Sequence, residues 1–159
     1  VIAEFFDFGE RRLVRFASED VGNADPQALD VATNALQAFE CIGMPEGALP
    51  MTQAATYLAC APKSNAVIES YGRARKDARE HGDLPPPEKL LNAPTDLQER
   101  MGHGRGYKYP HNFEGNYVPE AYLPDELRGR RYYEPSDNGF EAEIRERLRY
   151  WREQREGGD

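Results

Sequence analysis

Between Tyr107 and Glu134 the chain reads YKYPHNFEGNYVPEAYLPDELRGRRYYE, and six of its nine tyrosines fall there. The stretch follows neither a helical nor a strand period. Structureless segments of this length are uncommon inside a compact domain, and those that occur usually carry function. Tyrosine rings bury a large area while keeping a polar tip. The segment is therefore expected to be an ordered arm that wraps a partner, most simply a second copy of the chain. The remaining residues must build the core.

That core reads as helical. Leu13, Val14 and Phe16-Ala17 predict a helix from Arg11 to about Ser18, broken by Gly22-Asn23. Asp25-Pro26 marks a second start, with Asp25 as cap and Pro26 in the first helical position. Leu29, Ala32, Leu36, Phe39 and Gly43 then step by three and four. Alanines at 28, 32, 35 and 38 keep this helix thin, so a neighbour can approach closely. After the turn Met44-Pro-Glu-Gly47, a third helix to about Cys60 carries Met51, Ala54, Ala55 and Leu58, and Ala61-Pro62 stops it. Ser64 caps a fourth, with Val67, Tyr71, Ala74 and Ala78 on one face and Gly82 at its end.

Leu84-Pro-Pro-Pro-Glu88 is a stiff connector. A short helix starts at Thr95 or Asp96 and runs to about Met101, and Gly102-His-Gly-Arg-Gly106 opens the arm. The last helix runs from about Ser136 to Glu156. Phe140, Ile144, Leu148 and Trp151 form its apolar stripe. Glu141–Arg145, Glu143–Arg147, Arg149–Glu153 and Arg152–Glu156 are pairs on its exposed sides. A short pair near Tyr117 is the only strand signal. The expected class is all-α, with a long ordered tyrosine-rich arm and a C-terminal helix.

Composition narrows the function. A net charge of -8 and a pI near 5.0 argue against a protein that coats nucleic acid. Hydrophobic residues make up 39%, with 14 glycines and 12 prolines, which gives a modest core. Cys41 and Cys60 lie within apolar helical patterns and are expected to be buried, reduced thiols. No apolar run reaches the roughly 20 residues of a membrane span. VIAEFF is short and acidic-flanked, unlike a signal peptide, so the expected compartment is the cytoplasm, with no membrane partner.

Motifs for chemistry are missing from the sequence. Gly102, Gly104 and Gly106 lack the following Gly-Lys-Ser/Thr of a phosphate loop and read as a hinge. His81, His103 and His111 do not have zinc spacing, and no cysteine pair completes a site. Ser18 and Ser64 stand at helix boundaries, and Glu19-Asp20 reads as a helix end. No catalytic, cofactor or metal residue is assigned. Arg128-Gly-Arg-Arg-Tyr-Tyr133 is the best basic–aromatic cluster, of the kind that holds single-stranded nucleic acid. Lys63, Lys108, Arg128, Arg130 and Arg131 are the candidate nucleic-acid contacts. The competing reading packs the arm against another subunit through Tyr107, Tyr109, Phe113, Tyr117, Tyr122, Tyr132 and Tyr133, with Arg130 and Arg131 as polar partners.

Tyr122-Leu-Pro-Asp-Glu-Leu-Arg-Gly-Arg-Arg-Tyr-Tyr-Glu-Pro135 resembles the C-terminal region of the replication-associated recombination protein A family. That family is also called RarA or MgsA, and its eukaryotic relative is the Werner helicase-interacting protein. Phe16-Ala-Ser-Glu-Asp-Val-Gly-Asn-Ala-Asp-Pro26, Gly43-Met-Pro-Glu-Gly47 with Ala61-Pro-Lys-Ser-Asn-Ala66, and Asn92-Ala-Pro-Thr95 agree in the same order. The likeness runs from about Arg11 to Leu148, and residues 1–10 stand outside it.

The resemblance implies a clamp-loader-collar-like domain of an AAA+ ATPase. Residues 11–83 would form a helical oligomerisation subdomain. Residues 84–159 would supply connector, arm and C-terminal helix, packed on the same domain. It further implies a homotetramer linked to stalled replication forks, recombination and repair, with DNA and single-stranded-DNA-binding protein as partners and a cytoplasmic, nucleoid-associated location. No G-x-x-x-x-G-K-[ST] occurs in this chain, so ATP and Mg are expected only in an ATPase module outside it, and this piece is expected not to be an enzyme. The alternative is a monomeric module that binds single-stranded DNA or a replication protein.

Overall fold

The computed structural model describes residues 11–91, 95, 97, 100, 101 and 104–156. The readings on residues 1–10, Asn92-Ala-Pro94, Asp96, Gly102 and His103 lie outside the described residues. Among those described the fold is all-α, with no strand near Tyr117 or elsewhere. Helix α1 covers 11–16, α2 Ala28–Ile42, α3 Ala48–Cys60, α4 Ala66–His81 and α5 Glu141–Glu156. The chain forms two compact units. The first takes Val1–Ala74 with Tyr132–Glu146, and the second takes Arg75–Arg131 with Arg147–Asp159. The division falls inside α4 and α5.

In the first unit, α1 does not stop at Ser18. It continues as a π turn over Ala17–Val21 and a 3-10 turn over Gly22–Ala24. Ala17 and Val21 are buried there. Asp25 organises the next turn: its carboxylate accepts the Gln27 N–H at 3.1 Å, and Tyr57 of α3 donates its hydroxyl to the same group at 2.7 Å. The helix itself begins later than Pro26, at Ala28.

The α2–α3 contact is made of small residues. Ala28, Ala32 and Ala35 of α2 are buried, as are Met51, Ala54 and Leu58 of α3. Leu29, placed on the apolar face by the sequence pattern, is 42% exposed. The alanine row wins that face because two backbones approach closest where side chains are smallest. Cys41 and Cys60 are exposed, not buried. Each lies in the last turn of its helix, off the buried row.

Ser64 caps α4 as expected, its Oγ accepting the Ala66 N–H at 3.2 Å. Of the expected apolar face of α4, only Val67 is half-buried. Tyr71, Ala74 and Ala78 are exposed, and Ala66 and Asp77 are the buried positions. Gly82, at φ +65°, ends the helix. Helix α5 starts at Glu141 rather than Ser136. Its Arg149–Glu153 pair forms at 3.9 Å. The expected Glu141–Arg145 pair does not, since Arg145 bonds Asp137 and Glu141 is wholly buried.

The turn before α5 is tight. Phe140 N–H donates to the Ala24 carbonyl at 2.8 Å. A Cβ at Gly139, which stands at φ +52°, would lie 2.1 Å from that carbonyl oxygen and 2.7 Å from Pro62. Gly139→Ala is therefore expected to destabilise the protein by about 2 kcal/mol or more, through strain and overlap with backbone that cannot retreat. Chemical denaturation would read this as a lower midpoint, and an unchanged midpoint would refute the tight contact.

Candidate functional site

Two arrangements of polar and aromatic groups stand out, one in each unit. In the first unit the centre is Glu141, at 0% exposure. Its Oε2 accepts the Ser64 hydroxyl at 2.6 Å and the Ser136 N–H at 2.8 Å. Its Oε1 accepts the Tyr133 hydroxyl at 2.8 Å, and Tyr133 in turn accepts from Asn23 Nδ2 at 3.1 Å. Asn138 Nδ2 donates to the Lys63 carbonyl at 2.9 Å, and Ser64 N–H donates to the Asp20 carbonyl at 2.8 Å. Glu141 is also the first residue of α5, where the helix dipole favours a negative charge.

Burial pushes the Glu141 carboxyl up, but the Ser64, Ser136 and Tyr133 donors outweigh it and hold the group below its ordinary range. Burial pushes the Tyr133 phenol up to about 12; the Glu141 charge adds to this and Asn23 opposes it. Both carboxylate oxygens are occupied by donors from Ser64, Ser136 and Tyr133. The arrangement is a structural latch.

In the second unit, Glu120 receives Lys89 at 2.7 Å and Lys108 at 2.8 Å, and these two bonds hold its carboxyl below the usual range. Lys89 also sits 5.3 Å over the Tyr122 ring. Tyr117 stacks on Trp151 at 5.7 Å and donates its hydroxyl to the Trp151 carbonyl at 3.0 Å. Val118 is buried, and 3-10 turns at Pro110–Asn112, Glu114–Asn116 and Asp125–Leu127 shape the rest. The arm is thus ordered by local turns and a few anchors.

A cavity of about 550 Å³ opens among Pro87, Pro119, Leu123 and Gly129, with Lys89, Glu120 and Arg128 on its wall. Asp77, Glu80 and His81 bring donor atoms within 4.8 Å of one another. The carboxylates there are balanced, Asp77 by Arg130 at 3.4 Å and Glu80 by Lys76 at 3.9 Å.

The residues singled out in the sequence separate accordingly. Tyr107, Tyr109, Phe113 and Tyr122 are exposed, at 52%, 53%, 40% and 43%. Tyr117 is half-buried against Trp151. Tyr132 and Tyr133 are half-buried and belong to the first unit, and Tyr133 spends its hydroxyl on Glu141. Among the cations, Lys63 belongs to the first unit, where its ammonium donates to the Leu58 and Ala61 carbonyls and lies 5.1 Å over the Phe16 ring. Lys108, Arg128 and Arg130 are paired with Glu120, Asp125 and Asp77, and Arg131 is exposed. Sequence reasoning missed Glu141, Asn23 and Glu120. Their signal was faint: Glu141 and Asn23 are an acid and an amide in helix turns and Glu120 an acid in an extended stretch, settings that usually mean solvent.

Residues 4–152 match the family described as MgsA AAA+ ATPase C terminal. The chain belongs to that family, the C-terminal domain of an AAA+ ATPase class. Among curated relatives, Replication-associated recombination protein A of Coxiella burnetii is 46% identical over 143 residues, covering 89% of this chain and 32% of that protein. The protein of the same name from Escherichia coli (strain K12) is 47% identical over 145 residues, covering 91% and 32%. ATPase WRNIP1 of Dictyostelium discoideum is 41% identical over 125 residues, covering 78% and 14%. The chain spans about a third of the length of the bacterial relatives named here.

Tyr133→Phe removes one hydrogen bond to a buried charge and should cost about 1.5–3 kcal/mol in urea unfolding. Because the folded Glu141 carboxyl is depressed, its contribution is present above the unfolded value, near 4.3, and is lost as pH falls through the folded value. Wild-type stability should therefore drop below about pH 4 more steeply than that of Glu141→Gln. Parallel acid profiles for the two proteins would contradict the latch.

Proposed function

We propose that this chain is the oligomerisation region, a tetramer-forming collar, of a MgsA-like AAA+ ATPase that acts in replication-fork maintenance, recombination and repair. Membership of the C-terminal family supports the ATPase context, and the relatives' name supports the process. The observation that carries the oligomeric part is the set of exposed rings, Tyr107, Tyr109, Phe113 and Tyr122, on an otherwise ordered arm. Exposed aromatic anchors on a folded limb are what interfaces use. The collar would fix the relative positions of ATPase modules, which would hold ATP and Mg. DNA and single-stranded-DNA-binding protein would be partners of the whole protein, in the cytoplasm near the nucleoid.

The second reading is a monomeric module that grips single-stranded DNA or a replication protein. The basic–aromatic run Arg128-Gly-Arg-Arg-Tyr-Tyr133 is the feature that favours it. The pairing of Lys108, Arg128 and Arg130 with acids weakens it.

Light scattering behind a sizing column at two concentrations separates the two. Four copies of the 18.0 kDa chain give a mass of 72 kDa. Tyr107→Ser with Tyr109→Ser should lower that mass, each substitution weakening assembly by about 2 kcal/mol. A stable monomer at both concentrations would sink the collar. Salt-dependent affinity for a single-stranded oligonucleotide would then establish the second reading.

A further inference from the structure

We propose that Asn138 is a site of deamidation, and that its conversion loosens Tyr132–Glu146 from the N-terminal helices of the first unit. Asn138-Gly139 is the only Asn-Gly pair in the chain; every other asparagine is followed by alanine, phenylalanine or tyrosine. An asparagine cyclises when the next backbone nitrogen reaches its side-chain carbonyl carbon, and a following side chain obstructs that approach. Glycine offers no such obstruction.

The reaction needs only water. The Gly139 nitrogen bonds to Cγ of Asn138, the Cγ–Nδ2 bond breaks, and Nδ2 leaves as ammonia with the Gly139 amide proton. Water then opens the cyclic imide. Cleavage between Cγ and the Gly139 nitrogen leaves aspartate. Cleavage at the main-chain carbonyl of residue 138 leaves isoaspartate, whose chain runs through Cβ and Cγ.

The fold exposes this pair and cannot do without it. Asn138 and Gly139 are both exposed, and the Gly139 N–H donates to no acceptor among the described residues. A Cβ at position 139 would meet the Ala24 carbonyl oxygen, so the reactive glycine cannot be exchanged for a slower neighbour. Asn138 is held for a separate reason: its Nδ2 donates to the Lys63 carbonyl at 2.9 Å, and its N–H donates to Ser136 Oγ at 3.2 Å. The bond to Lys63 is single and exposed, so it restrains the amide only weakly.

Neither product suits the turn. Aspartate has no donor for the Lys63 carbonyl and sets acceptor against acceptor across that contact. The Lys63 ammonium cannot compensate, since it is spent on the Leu58 and Ala61 carbonyls. Isoaspartate puts an extra carbon into the main chain where Gly139 lies against Ala24 and Pro62. The Phe140 bond to Ala24 and the Glu141 latch follow directly along the chain, so the displacement passes to the contacts that hold this segment.

The test is incubation of the folded 159-residue chain in warm, mildly alkaline buffer, beside a urea-unfolded sample. Peptide mass spectrometry follows each asparagine. An anion exchanger isolates the converted protein by its added negative charge, and urea denaturation reads its stability. In the folded chain Asn138 should convert ahead of every other asparagine. The converted protein and Asn138→Asp should each have a folded-to-unfolded ratio about fivefold or more below wild type. A folded chain that keeps its Asn138 amide over the time in which the unfolded chain loses it overturns the site. Converted protein with the wild-type midpoint overturns the loosening.

Discussion

A buried carboxylate organises the first unit. Glu141 has no contact with water, and an ion in that position must be surrounded by donors or it destabilises the fold. Three donors meet it, from Ser64, Tyr133 and Ser136. One comes from the cap of α4 and two from the segment that precedes α5. That geometry holds Tyr132–Glu146 against the N-terminal helices after a long excursion of the chain. Other bonds then fall into register: Phe140 N–H on Ala24, Asn138 on Lys63, and Asn23 on Tyr133. Gly139 is required because Ala24 comes so close.

The apolar part of this unit is thin by comparison. Its buried face is built largely from Ala28, Ala32, Ala35 and Ala54, with Leu58, Val21 and Met51 as the larger members. Alanines let α2 and α3 approach closely, but each buries little area. A core of this kind leans on directional bonds, such as Tyr57 to Asp25, to set the helix positions. In the second unit, 3-10 turns, the Glu120 pairs with Lys89 and Lys108, and the Tyr117–Trp151 stack keep a segment without long helices in order. The rings left outside those anchors are the ones available to a partner.

Much of this was legible beforehand. Met51, Ala54 and Leu58 of α3, the Ser64 cap and the Gly82 stop follow from local rules of periodicity and capping, and the structure keeps them, while Ala55, read with the same row, is exposed. The shifts came where tertiary packing chose between acceptable faces. Leu29 gave way to Ala28, and of the apolar face assigned to α4 Tyr71, Ala74 and Ala78 stayed in solvent. Cys41 and Cys60 looked like core residues because the windows around them are apolar, yet both face outward. Glu141 was read as half of a surface pair with Arg145. Spacing on a helix says that two charges can meet, and not that one of them has been claimed by a distant part of the chain.

The sequence by itself determined the all-α class, the place of most helix ends and the presence of an aromatic arm. Those depend on contacts within a few residues: a cap, a glycine, a period of three and four. Only the tertiary structure decided which tyrosines are structural and which are exposed. Tyr133 and Tyr117 look no different in sequence from Tyr107 and Tyr109. They differ because Glu141 and the Trp151 carbonyl stand within hydrogen-bond reach of the first two. A hydroxyl's partner at such distances is set by how the chain folds back on itself, which no local pattern encodes.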